Sequence, residues 1–357
     1  MSKLHEAAGL GQSIWLKGID RPFIQDFQLR DLIEQGVHGV TTHPRDLALA
    51  LANGRDYDQQ IAELGQQGDA LPDIAEKLLF TDVQTAVDLL HPIYERTHGA
   101  DGYVSLDVNP ARAHSVDDLL SEGLRLAYDV DRVNVMVQIP ATAAGIEAIE
   151  KLIGEGTNVN ATHVYTLETY EKVAQAYLAG VDYFWSHLDI WRLPPASVVT
   201  LPVTQLDVAV DALLDVDDSL RGRAGMATAR AIYGRFQQIF QSSEWKHLAK
   251  HGLWRQRPLW DSSDDSRYVY GLMGPNTVHS LPPTHIATFL EESLMTNTLA
   301  LDQAEAQRTL AALKNQGIDL QSIEKQLQTQ AIDEIRHAYK QIADSVLQRR
   351  DELALTL

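Results

Sequence analysis

Short apolar segments rich in β-branched residues alternate with longer segments of helical periodicity along almost the whole chain. This alternation is typical of parallel sheets whose strands are connected by helices. Predicted strands lie at residues 12–16, 37–42, 102–108, 133–139, 157–162, 197–203, 256–261 and 276–279. Eight such strands predict an α/β fold of the (β/α)8 TIM barrel type, in which the chemistry lies at the carboxyl ends of the strands.

Helical segments are added to this basic pattern. One that includes Leu79 to Arg96 lies between the second and third predicted strands. Residues 303–315 and 322–348 carry apolar residues at helical spacing, and Gly317 is placed to end the first of these helices. Because the chain has no Gly/Ser/Pro-rich linker, residues 1–357 are predicted to form a single domain. The barrel would occupy about 11–295 and the C-terminal helical extension about 296–357.

The composition excludes several classes of function. The 357 residues include 30 Lys and Arg against 49 Asp and Glu, a net charge of -19, and no basic run offsets it. Such a chain repels nucleic acids and anionic membranes, so neither is an expected partner. The absence of cysteine excludes disulfides, cysteine nucleophiles and thiolate metal sites. The first residues lack the apolar core of a signal peptide, and cytoplasmic residence is the expectation.

A motif at the end of the fourth predicted strand carries a family resemblance. Residues 135–145 read Val-Met-Val-Gln-Ile-Pro-Ala-Thr-Ala-Ala-Gly, and related segments at 39–44, 101–108 and 274–278 occur in matching order. These segments resemble the bacterial, long-chain branch of the transaldolase family, over about residues 11–345. The resemblance implies the barrel fold, and it implies a Schiff-base lysine at the position of Gln138. An amide cannot replace that lysine because its nitrogen lone pair is delocalised into the carbonyl. The chain is therefore predicted to be a divergent member without transaldolase activity.

Other strand ends also differ from the family pattern. The resemblance implies an aspartate, an asparagine and a glutamate where this chain has Lys17, His43 and Asp107, whereas Asn160 and Thr162 match the family residues. The candidate catalytic residues are Lys17, His43, Asp107, Gln138 and Thr162.

The predicted substrate side lacks the phosphate contacts that the resemblance implies. Gln205 ends the sixth-strand motif where the family has an arginine, and Asp261, Asp264 and Asp265 follow the seventh strand. Carboxylates repel a phosphate dianion, and Arg267 is expected to pair with these aspartates instead of binding phosphate. Weak or absent binding of sugar phosphates is predicted. The candidate substrate-binding residues are Asn160, Thr200, Gln205, Ser262 and Arg267.

Several roles stay open for the two basic candidates. Lys17 can form a Schiff base from the first strand, clamp a substrate carboxylate as an ammonium ion, or form a salt bridge with Asp107. His43 can be a general base oriented by Asp107, or a histidine bonded to the backbone. No HxH or HExxH spacing supports a metal site, so metal independence and the absence of a cofactor are predicted.

Three functions remain in competition. The preferred one is a barrel repurposed for carbonyl chemistry of the aldol, imine-condensation, cyclisation or isomerisation type. Its partner would be a small, unphosphorylated carbonyl substrate in a specialised biosynthetic pathway. The alternatives are an inactive homologue that acts as a binding or assembly protein, and a transaldolase with an atypical site.

Two further expectations concern residues outside these sets. The aromatic-rich segment 181–192 is predicted to serve core packing or a subunit contact in a homodimer. His163 follows Thr162, and strand alternation predicts that it points away from the barrel interior and packs against a helix.

Overall fold

A computed structural model of the chain describes residues 2–187, 193–262, 266–291 and 296–354. Eight parallel strands pair in chain order and close into a barrel, which confirms the predicted (β/α)8 fold. Each predicted strand overlaps an observed one. The strands are β1 (Gln12–Lys17), β2 (Val37–Thr41), β3 (Tyr103–Asp107), β4 (Val135–Pro140), β5 (Val159–Thr162), β6 (Ser197–Pro202), β7 (Arg257–Asp261) and β8 (Thr277–Leu281).

Helices surround the barrel and connect its strands. They are α1 (Lys3–Gly9), α2 (Arg21–Gln25), α3 (Gln28–Gln35), α4 (Pro44–Asn53), α5 (Asp58–Gln66), α6 (Leu71–Arg96), α7 (Val116–Val130), α8 (Ala143–Gly154), α9 (Leu167–His187), α10 (Val203–Asp211), α11 (Ala224–Ile239), α12 (Ser243–Leu248), α13 (Ser266–Gly271), α14 (Pro283–Glu291), α15 (Gln303–Asn315) and α16 (Leu320–Ala354). Within the described ranges, no helix is long and apolar enough to cross a membrane.

The added helices fall where the sequence predicts them. Three helices, α4 to α6, lie between β2 and β3, and α6 begins eight residues before the predicted Leu79. Gly317 has a φ of 84° just after α15, a backbone conformation that favours glycine at a helix end. The last helix, α16, packs against α4, α5 and α6 and so returns the end of the chain to the first half of the barrel.

The aromatic-rich segment lies partly in α9. Val181 belongs to the main core and Phe184 is buried. Trp185, in contrast, is 38% exposed and stacks on His251 with ring centroids 4.1 Å apart. Residues 188–192, which include Trp191, lie outside the described residues. Core packing therefore accounts for Phe184, and a homodimer contact through this segment stays a prediction.

The inside of the barrel is filled by a buried cluster distinct from the layer between strands and helices. Trp15, Met136, Val198, Leu259 and Val278 contribute to it from five strands. This matches the packed interior expected of the fold, which leaves no channel along the barrel axis.

Gly39 on β2 is needed where the Trp15 ring approaches the neighbouring strand. A Cβ atom at position 39 would lie 2.5 Å from the ring atom Cε2 of Trp15. We expect Gly39→Ala to lower the free energy of unfolding by about 1–3 kcal/mol, because a fully buried indole in a packed interior cannot move aside without strain. Urea denaturation measures the change.

A matched control for this substitution lies on the surface of α5. A Cβ atom at Gly65 would have its nearest neighbour, the Arg350 side chain, at 3.6 Å. Gly65→Ala should therefore leave stability unchanged or raise it by up to about 1 kcal/mol through helix propensity. Equal effects of the two substitutions would contradict the packing argument.

The strand register places three polar side chains side by side at the carboxyl ends. Asp107 on β3 is the register partner of Gln138 on β4, and Gln138 is the partner of Asn160 on β5. Register partners in a parallel sheet share a face, so these three side chains lie next to one another. They form one wall of the barrel mouth.

Candidate active site

A cavity of about 360 Å³ opens at the carboxyl ends of the strands. All five candidate catalytic residues line it, together with three of the five candidate substrate-binding residues. The polar or charged residues in its wall include Lys17, Thr41, Thr42, His43, Arg45, Asp46, Asp107, Gln138, Asn160, Thr162, His163, Thr200, Gln205, Asp261, Ser280 and Glu334.

Two predicted substrate-binding residues lie elsewhere. Ser262 is buried and its Oγ lies 2.8 Å from Nε2 of buried His279. Because Asp261 faces the cavity, strand alternation turns the next residue away from it. Arg267 lines a separate cavity and lies over the Tyr268 ring, 5.3 Å from its centroid. The predicted pairing of Arg267 with Asp264 and Asp265 concerns aspartates outside the described residues.

The carboxamide of Gln138 is held by two backbone carbonyl groups, one in β3 and one just after β2. Its Nε2 donates to the carbonyl oxygen of Thr42 at 2.8 Å and to that of Ser105 at 3.2 Å. The side chain is only 7% exposed, so its orientation is fixed by these contacts. Since no described residue donates to Oε1, this oxygen can accept a hydrogen bond from a ligand.

A second fixed amide lies beside it. Asn160 Oδ1 accepts from Thr200 Oγ1 at 2.7 Å, and Asn160 Nδ2 donates to Ser105 Oγ at 3.3 Å. Thr162 Oγ1, in contrast, is buried and has no hydrogen-bond partner among the described residues. A preorganised amide pair and an unused hydroxyl therefore lie in the same wall.

Asp107 is a buried carboxyl group that has no ion-pair partner in the described part of the chain. Its Oδ2 accepts no hydrogen bond from any described residue. Burial, and then the charge of Asp46, raises the pKa of Asp107 to about 8. Burial also raises the pKa of Asp46 to about 6. Asp107 is therefore protonated at neutral pH, close enough to its pKa to give up or take up a proton.

His43 is bonded to the backbone and not to Asp107. Its Nδ1 accepts from the backbone N–H of Arg45 at 3.1 Å, which places the imidazole proton on Nε2. Burial, with the charges of Lys17 and Arg45, lowers the pKa of His43 to about 4. The ring is neutral at pH 7, and its Nε2–H is available to donate a hydrogen bond to a ligand. Of its two predicted roles, the backbone contact is the one present in this structure.

Lys17 forms a salt bridge, but with a different aspartate from the predicted one. Its Nζ lies 2.6 Å from Oδ1 of Asp261, and the lysine side chain is 43% exposed. An ammonium ion can attract a substrate carboxylate, but it cannot attack a carbonyl until it loses a proton. The contact with Asp261 replaces the predicted contact with Asp107.

His163 lines the cavity, contrary to the prediction that it packs against a helix. The strand ends at Thr162, and His163 has a φ of 59°, so strand alternation does not continue to this residue. Its Nδ1 is buried without a partner among the described residues. Burial, and then the proximity of His43, lowers the pKa of His163 to about 4. The sequence contained no signal for this left-handed conformation, which L-residues adopt rarely.

The structure is therefore a (β/α)8 barrel with titratable groups at the carboxyl ends of its strands. The family model for transaldolase/fructose-6-phosphate aldolase matches residues 14–346. The chain belongs to this family.

Relatives named transaldolase match over nearly their whole length. One from Saccharopolyspora erythraea is 35% identical, over 98% of this chain and 98% of the relative. Transaldolase 1 of Streptomyces avermitilis is 34% identical, over 97% of this chain and 95% of the relative. A transaldolase of Thermobifida fusca is 32% identical, over 98% of both chains.

Proposed function

We propose that this family member catalyses proton transfer on an unphosphorylated carbonyl compound and forms no Schiff base at residue 138. The observation that carries the proposal is the pair of register partners Asp107 and Gln138. One is a buried carboxyl group with an unpartnered Oδ2, and the other is an amide where the family resemblance implies a lysine. Acid–base catalysis by a side chain typically accelerates a reaction 10²–10⁴-fold.

Five residues that line the cavity have a role in this proposal. Asp107 moves a proton at Oδ2, while the Nε2–H of His43 and the hydroxyl of Thr162 donate to the oxygen on which negative charge develops. Gln138 accepts a substrate hydroxyl or amine hydrogen at Oε1. Lys17 holds a substrate carboxylate as an ammonium ion. Aldol, imine-condensation, cyclisation and isomerisation reactions all require such proton transfers next to a carbonyl.

The charge of the cavity supports an unphosphorylated substrate. Asp46, Asp261 and Glu334 lie in its wall, and its cationic side chains are Arg45 and Lys17, the latter bonded to Asp261. A phosphate dianion requires several converging donors, which carboxylates oppose. We therefore propose a role in a specialised biosynthetic pathway and not in sugar-phosphate metabolism.

Transaldolase activity is the second candidate, because the relatives carry that name over almost the whole length of both chains. In that case Lys17, the amine that lines the cavity beside Asp261, would have to form the imine. The two candidates therefore differ in their substrate and in whether a covalent adduct forms.

The decisive test compares two assays on the same preparation. We expect no turnover of fructose 6-phosphate with erythrose 4-phosphate, because carboxylates lie beside the described cationic lining residues and Asp261 already pairs with Lys17. We expect conversion of at least one ketone, aldehyde or oxo acid from a panel, with no reduced adduct after borohydride treatment. Intact mass and peptide mapping detect any adduct.

The control pair is Lys17→Ala and Lys151→Ala, the second on the outer helix α8. Sugar-phosphate turnover, with an adduct that Lys17→Ala alone abolishes, would establish the second candidate. An adduct at Lys17 with an unphosphorylated carbonyl would relocate the Schiff base to β1. Inertness toward every substrate would favour the binding or assembly role.

A further inference from the structure

A groove of about 610 Å³ extends from the barrel mouth across the surface. One wall comes from α10 and the turn after it, and the opposite wall comes from the first part of α16. Its lining combines uncharged polar residues, among them Thr204, Gln326 and Gln330, with a larger apolar set that includes Val208, Ala209, Ala212, Leu213, Ile323 and Leu327.

The groove is continuous with the candidate active site. Both cavities share the residues at the neck between them, which are Lys17, Pro202, Gln205, Asp261, Ala331 and Glu334. The Lys17–Asp261 ion pair and Glu334 place the charged side chains at this neck, between the active-site cavity and the groove. A molecule that reaches from the catalytic wall to the groove therefore passes from polar to apolar surroundings.

The groove exposes apolar side chains that the fold itself does not cover. Val208 is 66% exposed and Leu213 is 61% exposed. Water contact with such side chains is unfavourable, and exposed apolar surface next to a polar site commonly marks a binding groove. The charged residues in its described lining are Lys17, Asp261 and Glu334, and all three lie at the neck. The rest of the groove therefore suits an uncharged group that is mainly apolar.

We infer that the groove between α10 and α16 binds an apolar arm of the substrate whose carbonyl head lies in the barrel mouth. The inference rests on the proposed function and names the substrate class more closely as a carbonyl compound with an alkyl or aryl arm. The shared neck favours this occupant over a separate protein partner, because a molecule bound in the mouth can extend directly into the groove.

The test measures affinity against chain length by isothermal titration calorimetry at pH 7. The ligands are 2-oxo acids from pyruvate to 2-oxooctanoate, and the saturated acids of equal length. For the wild-type chain we expect the affinity to rise roughly two- to fourfold per methylene group, because each methylene is removed from water. The variant Ala212→Trp fills the groove from an exposed helix-end position and should remove this dependence.

The control is Ala311→Trp, at an exposed position of α15 away from the groove. It should keep the wild-type chain-length dependence. A wild-type affinity independent of chain length, or no binding by any member, overturns the inference, as does an unchanged dependence in Ala212→Trp.

The same series separates this inference from the proposed function. If saturated and oxo acids show equal chain-length dependence and no oxo acid is converted, the groove assignment stands and the carbonyl chemistry fails. If short oxo acids are converted but length has no effect, the chemistry stands and the groove assignment fails.

Discussion

Replacing Asp107 by asparagine is expected to lower the turnover of the carbonyl substrate by about 10²–10⁴-fold. The amide keeps the shape of the side chain beside Gln138 but cannot exchange a proton at Oδ2. Steady-state kinetics should show the loss in kcat, with KM changed less, because ground-state contacts remain. The conservative variant Asp107→Glu should recover part of the rate. Equal kcat in wild type and Asp107→Asn would remove Asp107 from the mechanism.

The same substitution is expected to stabilise the fold. The pKa of Asp107 is about 8 in the folded chain against 3.8 for the free side chain, and the main cause is burial. Between these two values the unfolded chain releases a proton that the folded chain keeps, so the wild type loses stability as pH rises from about 4 to 8. Asparagine has no such proton. At pH 7 Asp107→Asn should gain roughly 2–4 kcal/mol.

Urea denaturation across pH 4 to 9 tests this second effect. The difference between variant and wild type should grow with pH and become constant above about pH 8. Asp333→Asn, at an exposed carboxylate of α16, should show no such growth. A difference that does not depend on pH would mean that Asp107 is ionised in the folded chain. A variant that loses activity and gains stability is expected when a functional group lowers the free energy of unfolding of the wild-type chain.

The barrel and one wall of the site could be predicted because they depend on local sequence. Alternating strands and helices place strand ends together, and the register then aligns Asp107, Gln138 and Asn160. Successive side chains of a strand point to opposite faces. Once Asp261 is known to face the cavity, this rule predicts that Ser262 faces away from it.

The residues and contacts that the sequence did not predict depend on geometry that no local pattern encodes. Glu334 reaches the mouth only because α16 returns to the first half of the barrel. Lys17 and Asp261 belong to strands separated by β8, so their pairing depends on how the barrel closes. His163 enters the cavity through a left-handed residue at the strand end. Each of these is a long-range or conformational effect, and together they add Glu334, Asp261 and His163 to the charged or titratable groups of the site.

Family membership also leaves the reaction open. The relatives match nearly the whole chain. A barrel of this kind nevertheless supports different chemistries through the residues at its strand ends. Here Gln138 is held by two backbone carbonyls, and an amide in that setting can bind but cannot form an imine. The activity must therefore be assigned from the site and its assays.

The amino ends of the strands carry the largest expected loss of stability. Asp101, just before β3, is buried and accepts from Trp15 Nε1 at 2.8 Å and from Ser13 Oγ. It also pairs with Arg257 at 3.3 Å. Burial raises the pKa of Asp101, but the charge of Arg257 and the contact with His38 outweigh it and hold the pKa well below its usual range.

Asp101→Ala is expected to lower the free energy of unfolding by about 3–5 kcal/mol at pH 7, because it leaves Arg257 and the indole N–H without their acceptor. Since the pKa of Asp101 is lowered, its stabilisation is present above pH 4 and lost as pH falls. The acid dependence is thus opposite in sign to that of Asp107 at the other end of β3. Asp129→Ala, which breaks a more exposed ion pair with Arg125, should cost less than about 1 kcal/mol. A loss below about 1 kcal/mol for Asp101→Ala would show that Arg257 and the indole N–H find other acceptors. The expected larger loss would place a stabilising carboxylate at one end of β3 and the proposed catalytic carboxyl group at the other.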